Sequence, residues 1–189
     1  MPRYAAFLRA INVGGRVVKM DQLRRLFDSM DFTAVETFIA SGNVMFSSGA
    51  KDAGAMERRI ERALRDALDY EVATFIRSDS ELAGIAAREP FAAPLVAGAA
   101  ANYIAFLRES PDAAAKKRVM LLRSEHDSFH FQGRELHVVS RAKISESAFT
   151  GAMLEKALGA PATVRGINTV RKMAAKFVTA PPPPTRRAP

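Results

Sequence analysis

Three short segments of this chain carry polar and glycine residues at spacings that can do chemistry. The first is Phe7-Leu-Arg-Ala-Ile-Asn-Val-Gly-Gly-Arg-Val-Val-Lys-Met, in which paired glycines follow an apolar run. Glycines placed after a strand let backbone N–H groups turn into one concavity that can hold an anion, and Arg9, Arg16 and Lys19 would supply charge. Asn12 adds a directional amide beside Gly14 and Gly15. The same residues can equally close a tight turn with positive φ at Gly14 or Gly15 and solvated arginines around it. The second segment, Ser41-Gly42-Asn43, has the composition of a plain turn. It becomes a neighbour of the first segment if the first and third strands run side by side. The third is Thr163-Val-Arg-Gly-Ile-Asn-Thr-Val. There Arg165 stands near Asn168 and Thr169, either of which can cap a helix whose free N–H groups attract an anion. A capped helix with a basic outer face would look the same.

Other chemistries lack their motifs. GxGxxG and GxxxxGK[ST] are absent, so dinucleotide and P-loop recognition are disfavoured, and neither GxSxG nor HExxH occurs. An RNA-recognition module would need aromatic residues in a basic pattern on its third strand, which Asn43-Val-Met-Phe-Ser-Ser does not provide. The chain has no cysteine, which removes disulfides and thiolate catalysis. If Gly133-Arg134 is a two-residue turn, Phe131 pairs with Leu136 and Phe129 with Val138 on a buried face, while His130 pairs with His137 on the other. Beyond His126 and Asp127, nothing nearby has the spacing of a ligand set. The histidines therefore read as a solvent-facing polar pair, and neither metal nor cofactor is expected.

Charge adds a direction. The chain of 189 residues carries a formal net charge of +8, and it is unevenly placed. Residues 1–20 hold Arg3, Arg9, Arg16 and Lys19 with no acid. Residues 163–189 hold Arg165, Arg171, Lys172, Lys176, Arg186 and Arg187, again with no acid. Clustered like charge attracts phosphates or carboxylates, although a solubilising excess has the same composition. Hydrophobic residues make up 48%, enough for a real core. No apolar stretch approaches the ~20 residues needed to cross a bilayer, and the start lacks a secretory pattern, so a cytoplasmic protein without a membrane partner is expected.

These residues must be held by a scaffold, and the periodicity supplies one. Tyr4–Ala10 reads as a strand, and Met20, Leu23, Leu26, Phe27 and Met30 recur at helical spacing. Val35–Ala40 and Asn43–Ser47 form a hairpin, Asp52–Leu68 a helix striped by Met56, Ile60, Leu64 and Leu68, and Val72–Ile76 a fourth strand. The order βαββαβ makes a ferredoxin-like unit over residues 1–78. Residues 79–101 read as a helix and a connection rich in Ala, Gly and Pro. A second, related βαββα unit over 102–179 follows, with a short strand at Thr163-Val164 and a last helix over Asn168–Phe177. The repeat is read as one of element order, without residue identity between the halves. Residues 180–189, with their proline run and two arginines, read as a disordered basic tail.

Taken together and in order, the segments resemble the bacterial family DUF1697, a domain of unknown function. Its members read LLRGINVGG near the start, a Lys-Met helix start, TYIQSGNVVF at the hairpin, a Pro-Phe near mid-chain and TTRNWNTV before the last helix. Matching residues here are Phe7 to Gly15, Lys19-Met20, Thr37 to Phe46, Pro90-Phe91 and Thr163 to Val170. Ala10 stands where members carry Gly, Ala40 where they carry Gln, and Gly166-Ile167 where they carry Asn-Trp. The resemblance implies an α+β protein with a ferredoxin-like N-terminal part and no established activity. Arg9, Asn12, Gly14, Gly15, Ser41, Gly42, Asn43, Arg165, Asn168 and Thr169 persist. With Arg16 and Lys19 they are the expected ligand-binding residues of one joined patch, for an anionic small molecule or nucleic acid. An enzyme acting on a small phosphorylated or acyl substrate at that patch, and a non-catalytic interaction module, fit the same residues.

Overall fold

In a computed structural model of the chain, the described residues are 1–39, 42–142 and 149–179. They form two compact units, one of residues 1–85 together with 171–179 and the other Ala86–Val170. The expected tail, 180–189, lies outside the described residues.

In the first unit the order is β1 (Arg3–Leu8), α1 (Met20–Asp28), β2 (Thr33–Thr37), β3 (Asn43–Ser47), α2 (Ala53–Leu68), β4 (Thr74–Ser78) and α3 (Asp79–Ala87), whose last residues Ala86 and Ala87 fall in the second unit. The sheet is antiparallel in the order β2-β3-β1-β4, the ferredoxin-like arrangement. Alternation along β1 sends Tyr4, Ala6 and Leu8 into a core shared with Leu23 and Phe27 of α1 and with Met56, Ile60 and Leu64 of α2. Phe46 on β3 gathers three rings, with centroids 4.4 Å from Phe32, 5.6 Å from Phe27 and 5.7 Å from Tyr4. Each such ring withdrawn from water contributes roughly 1.5–3 kcal/mol. The other face of the sheet, with Ala5, Phe7, Met45, Phe75 and Arg77, is buried as well, which is why β1 reads as a continuous apolar run rather than an alternating one.

α2 starts at a true cap, since Asp52 accepts a hydrogen bond from the Ala55 N–H at 3.0 Å. Together with α3, it then serves the edge of the sheet. The outward N–H groups of β4 would be an open template for another strand, but Thr74 donates to Glu61 Oε1, Ile76 to Glu57 Oε1 and Ser78 to Glu81 Oε2, at 2.9, 2.8 and 2.8 Å.

The second unit repeats the plan. After α4 (Ala93–Ala97), a short helix inside the expected connection, come β5 (Ala101–Leu107), α5 (Ala113–Met120), β6 (Asp127–Gln132), β7 (Glu135–Ser140), α6 (Gly151–Leu158) and β8 (Ala162–Gly166). The sheet order is β6-β7-β5-β8. The final strand is five residues long, so this unit too is βαββαβ. α7 (Ile167–Thr179) follows, with Ile167–Val170 in the second unit and Arg171 onward in the first, whereas the sequence attached it to the second half. In the first unit, Phe177 lies under the Arg3 guanidinium and Lys176 reaches Glu36 and the Phe38 ring.

The halves are related in residues as well as order, which corrects the expectation of order alone. Tyr4-Ala-Ala-Phe-Leu-Arg9 and Tyr103-Ile-Ala-Phe-Leu-Arg108 occupy the same register. Tyr4 pairs with Phe46 and Ser78, and Tyr103 with Val138 and Gly166. Arg77 opposite Ala5 then matches Arg165 opposite Ile104. Even the edge brace recurs, for Ala162 donates to Glu155 Oε1 at 2.8 Å as Thr74 does to Glu61.

Two boundaries moved for a local reason. β1 stops at Leu8 rather than Ala10 because Ala10 takes φ +53°. The second strand ends at Thr37 rather than Ala40, short of Ile39 at φ +60°, and its register shifts between Thr33 and Glu36, where Ala34 has φ +50°.

Candidate functional site

The first two polar segments meet in the first unit. As β1 ends, the Leu8 N–H donates to the Gly42 carbonyl and the Arg9 N–H to the Ala73 carbonyl, both at 2.8 Å. The loop therefore leaves the sheet between the start of β3 and the start of β4. Ile11 turns inward and is buried, while its carbonyl accepts from the Tyr70 hydroxyl at 2.8 Å. Asn12 spans the loop, its Oδ1 accepting from the Val18 N–H at 2.8 Å. Pinned at Ile11 and closed by Asn12, residues 13–17 project as an exposed loop.

On that loop Gly14 and Gly15 take φ +70° and +81°, with open space where a side chain would stand. Val13 and Val17 are 61% and 80% exposed. The Arg16 guanidinium lies 4.1 Å from the centroid of the Tyr70 ring, so the residue that holds the loop by its hydroxyl also seats its cation by its face. Among the described residues neither Arg16 nor Lys19 has an acidic partner, whereas the next acid, Asp21, is paired with Arg24 at 3.4 Å. Lys19 is the N-cap of α1 without a capping side-chain bond, and it is exposed.

The hairpin contributes differently from expectation. Gly42 packs under the loop, leaving no room for a side chain. Asn43 is fully buried, with Nδ2 donating to the Phe38 carbonyl at 2.9 Å, while the Phe38 N–H donates to the Asn43 carbonyl at 2.9 Å. This amide closes the hairpin and does not reach the surface. Ser41 lies outside the described residues.

The third segment belongs to the second unit. Arg165 is buried, and its Nη1 donates to Thr163 Oγ1 and to the Val164 carbonyl, both at 2.8 Å. Burial pushes its pKa down to about 10, so it stays charged at neutral pH. α7 begins at Ile167, directly after β8, which places Asn168 and Thr169 within its first turn rather than at its cap. Asn168 is exposed and Thr169 half-buried.

The histidine hairpin has the expected register, with His130 opposite His137, Phe129 opposite Val138 and Phe131 opposite Leu136 around a two-residue turn. The solvent-facing reading is corrected, because His137 is 4% exposed although His130 is open. Burial first, then the charges of His130 and Arg88, hold the His137 pKa down to about 4. Among the described residues no three His, Cys, Asp or Glu side chains come together to hold a metal ion, and no helix is long and apolar enough to cross a membrane.

Sequence reasoning missed Tyr70, which follows the left-handed C-cap Asp69 of α2. Its one signal was an aromatic residue stranded between a helix and a strand with no apolar period to join.

Residues 1–137 match the family described as "Protein of unknown function (DUF1697)". A solved structure of a conserved bacterial protein from Streptococcus pneumoniae is similar at a TM-score of 0.69 with 22% identity, covering 92% of this chain and 97% of that one. That likeness concerns the fold. No curated protein matches the chain.

Proposed function

We propose that this chain, which belongs to the DUF1697 family, is a cytoplasmic binding protein for a phosphate- or carboxylate-bearing ligand, taken up on the open loop from Arg9 to Lys19. The observation that carries this reading is the seating of Arg16 on Tyr70 at 4.1 Å, with no acidic partner among the described residues. An exposed arginine normally loses side-chain entropy of up to ~2 kcal/mol when it is fixed by a ligand. Here much of that ordering is already done, so an arriving anion meets a placed charge.

Gly14 and Gly15 leave the backbone bare, which lets an oxyanion approach the main chain closely, and Val13 and Val17 offer apolar contact to the rest of a ligand. Arg9, Asn12, Lys19 and Gly42 complete the patch, Asn12 and Gly42 by shaping the loop. Asn43 acts through the hairpin it closes. A small phosphorylated metabolite and a nucleic-acid backbone present the same phosphate chemistry.

Titration of the full chain at low salt with pyrophosphate and with a short single-stranded oligonucleotide tests the reading and separates the two sources. Arg16→Ala should weaken binding roughly tenfold or more, since a hydrogen bond to a charged group is worth ~1.5–3 kcal/mol. If the oligonucleotide is the better ligand, two contacts give a log–log salt slope near about −1.4. Absence of binding to both by the unmutated chain overturns the proposal.

A further inference from the structure

We propose that the second unit carries a separate binding site for a small oxyanion, on the sheet face that presents His137, with His130 and Arg88 as its other contacts. His137 is more than nine-tenths buried, and among the described residues its ring touches the His130 ring, with centroids 6.4 Å apart and planes at 63°, but makes no hydrogen bond. An imidazole has two ring nitrogens to place, and neither has a protein partner here, although neither is sealed from solvent among the described residues. The edge of the ring that reaches solvent is therefore open to a ligand atom.

The neighbours decide the sign of that ligand. His130 stands directly opposite on β6 and is open to solvent. Two residues along the same face, Gln132 Oε1 accepts from Arg88 Nη1, which fixes the guanidinium beside the imidazoles. Phe91 meets His130 edge-on, with centroids 6.4 Å apart, and walls one side. Across β5, where Ile104 separates them, lies Arg165. Glu135 is the one carboxylate on β7 that shares the face, and Glu89 follows Arg88 in the chain. After burial, the influences that dominate at His137 are His130 and Arg88, and both oppose its protonation. A cation would meet the same repulsion. An oxyanion would be attracted by Arg88, accept from His130 and give His137 a partner.

Binding is therefore linked to protons. A negative charge at His137 offsets the two groups that depress its pKa, so that pKa must rise when the anion binds, and affinity must rise as the pH falls. Each unit of rise corresponds to about tenfold tighter binding at low pH than at high pH. This site is independent of the loop on the first unit and stands or falls separately.

The test uses the full chain with labelled histidine, carrying Arg16→Ala and Lys19→Ala to remove the first-unit loop as a competitor. Sulfate is the probe because its charge does not change from pH 4 to 8, and chloride at equal ionic strength is the control. The expected result is that sulfate, and not chloride, moves the His137 and His130 ring signals while His126 stays still. The His137 pKa should rise by at least one unit. Arg88→Gln, at an exposed position, should abolish the response without unfolding the chain. A His137 pKa that is the same in sulfate and chloride overturns the site, as does a response that survives Arg88→Gln.

Discussion

The Cγ2 atom of Ile11 lies 2.6 Å from where a Cβ at position 42 would stand, so the glycine of the hairpin and the isoleucine of the loop are fitted to each other. Gly42 also has φ +75°, and Leu8 Cβ is only 3.1 Å away from the same point. Neither neighbour is the free end of a flexible side chain, because Ile11 is buried and Leu8 sits in the core. Gly42→Ala is expected to destabilise the chain by about 2–4 kcal/mol, combining overpacking with left-handed strain. Gly14→Ala, with the same backbone sign but open space, should cost only ~1–2 kcal/mol. Urea denaturation of the two variants measures the difference, and equal losses would contradict the packing of hairpin against loop.

Ala10 supplies the converse. It takes φ +53° at the bend where the loop leaves β1, a conformation that glycine adopts without steric strain. Ala10→Gly should therefore raise stability by roughly 0.5–1 kcal/mol, the relief of strain being partly offset by the freer unfolded chain. A drop in melting temperature would show that the methyl group is held by contacts that outweigh the strain.

The carboxylates along β4 make a third case. Glu57 is 2% exposed and accepts from the Ile76 N–H. Glu57→Ala leaves that donor buried without its partner, and a loss of about 1–3 kcal/mol is expected in denaturant unfolding. Glu57→Gln keeps an acceptor there and should recover a large part of it. Equal losses for the two variants would mean that the charge, not the acceptor, is what the strand edge needs.

Stability should also follow pH through His137. Its folded pKa, about 4, lies below the unfolded 6.5, so between those values the unfolded chain holds more protons. The stabilisation is fully present above pH 6.5 and is lost as the pH falls towards 4. Melting temperatures of wild type and His137→Gln, compared across that window, should differ in slope, the variant being flatter. Parallel curves would contradict the burial of a neutral imidazole.

Much of the scaffold was legible because its signals are local. The stripe Met56, Ile60, Leu64 marks the buried face of α2, and Gly133-Arg134 fixes the register of the histidine hairpin. Joining the first loop to the hairpin also followed from topology, since β1 and β3 are neighbours in a βαββαβ sheet. Other features depend on tertiary contact. Asn43 looks like a surface turn residue until Phe38 is seen to claim its amide. Tyr70 acquires a role only because a chain separation of 59 residues folds its hydroxyl onto Ile11. His137 was misplaced for a similar reason, because alternation gives the side of the sheet but not whether that side is covered.

The central claim, that the loop from Arg9 to Lys19 takes up an anion, is tested most directly by amide chemical shifts of the full chain titrated with pyrophosphate at constant ionic strength. The account predicts saturable shifts concentrated at Gly14, Gly15, Arg16 and Val17, diminished by Arg16→Ala. Saturation without movement of those four amides, or no response at any concentration, would contradict it.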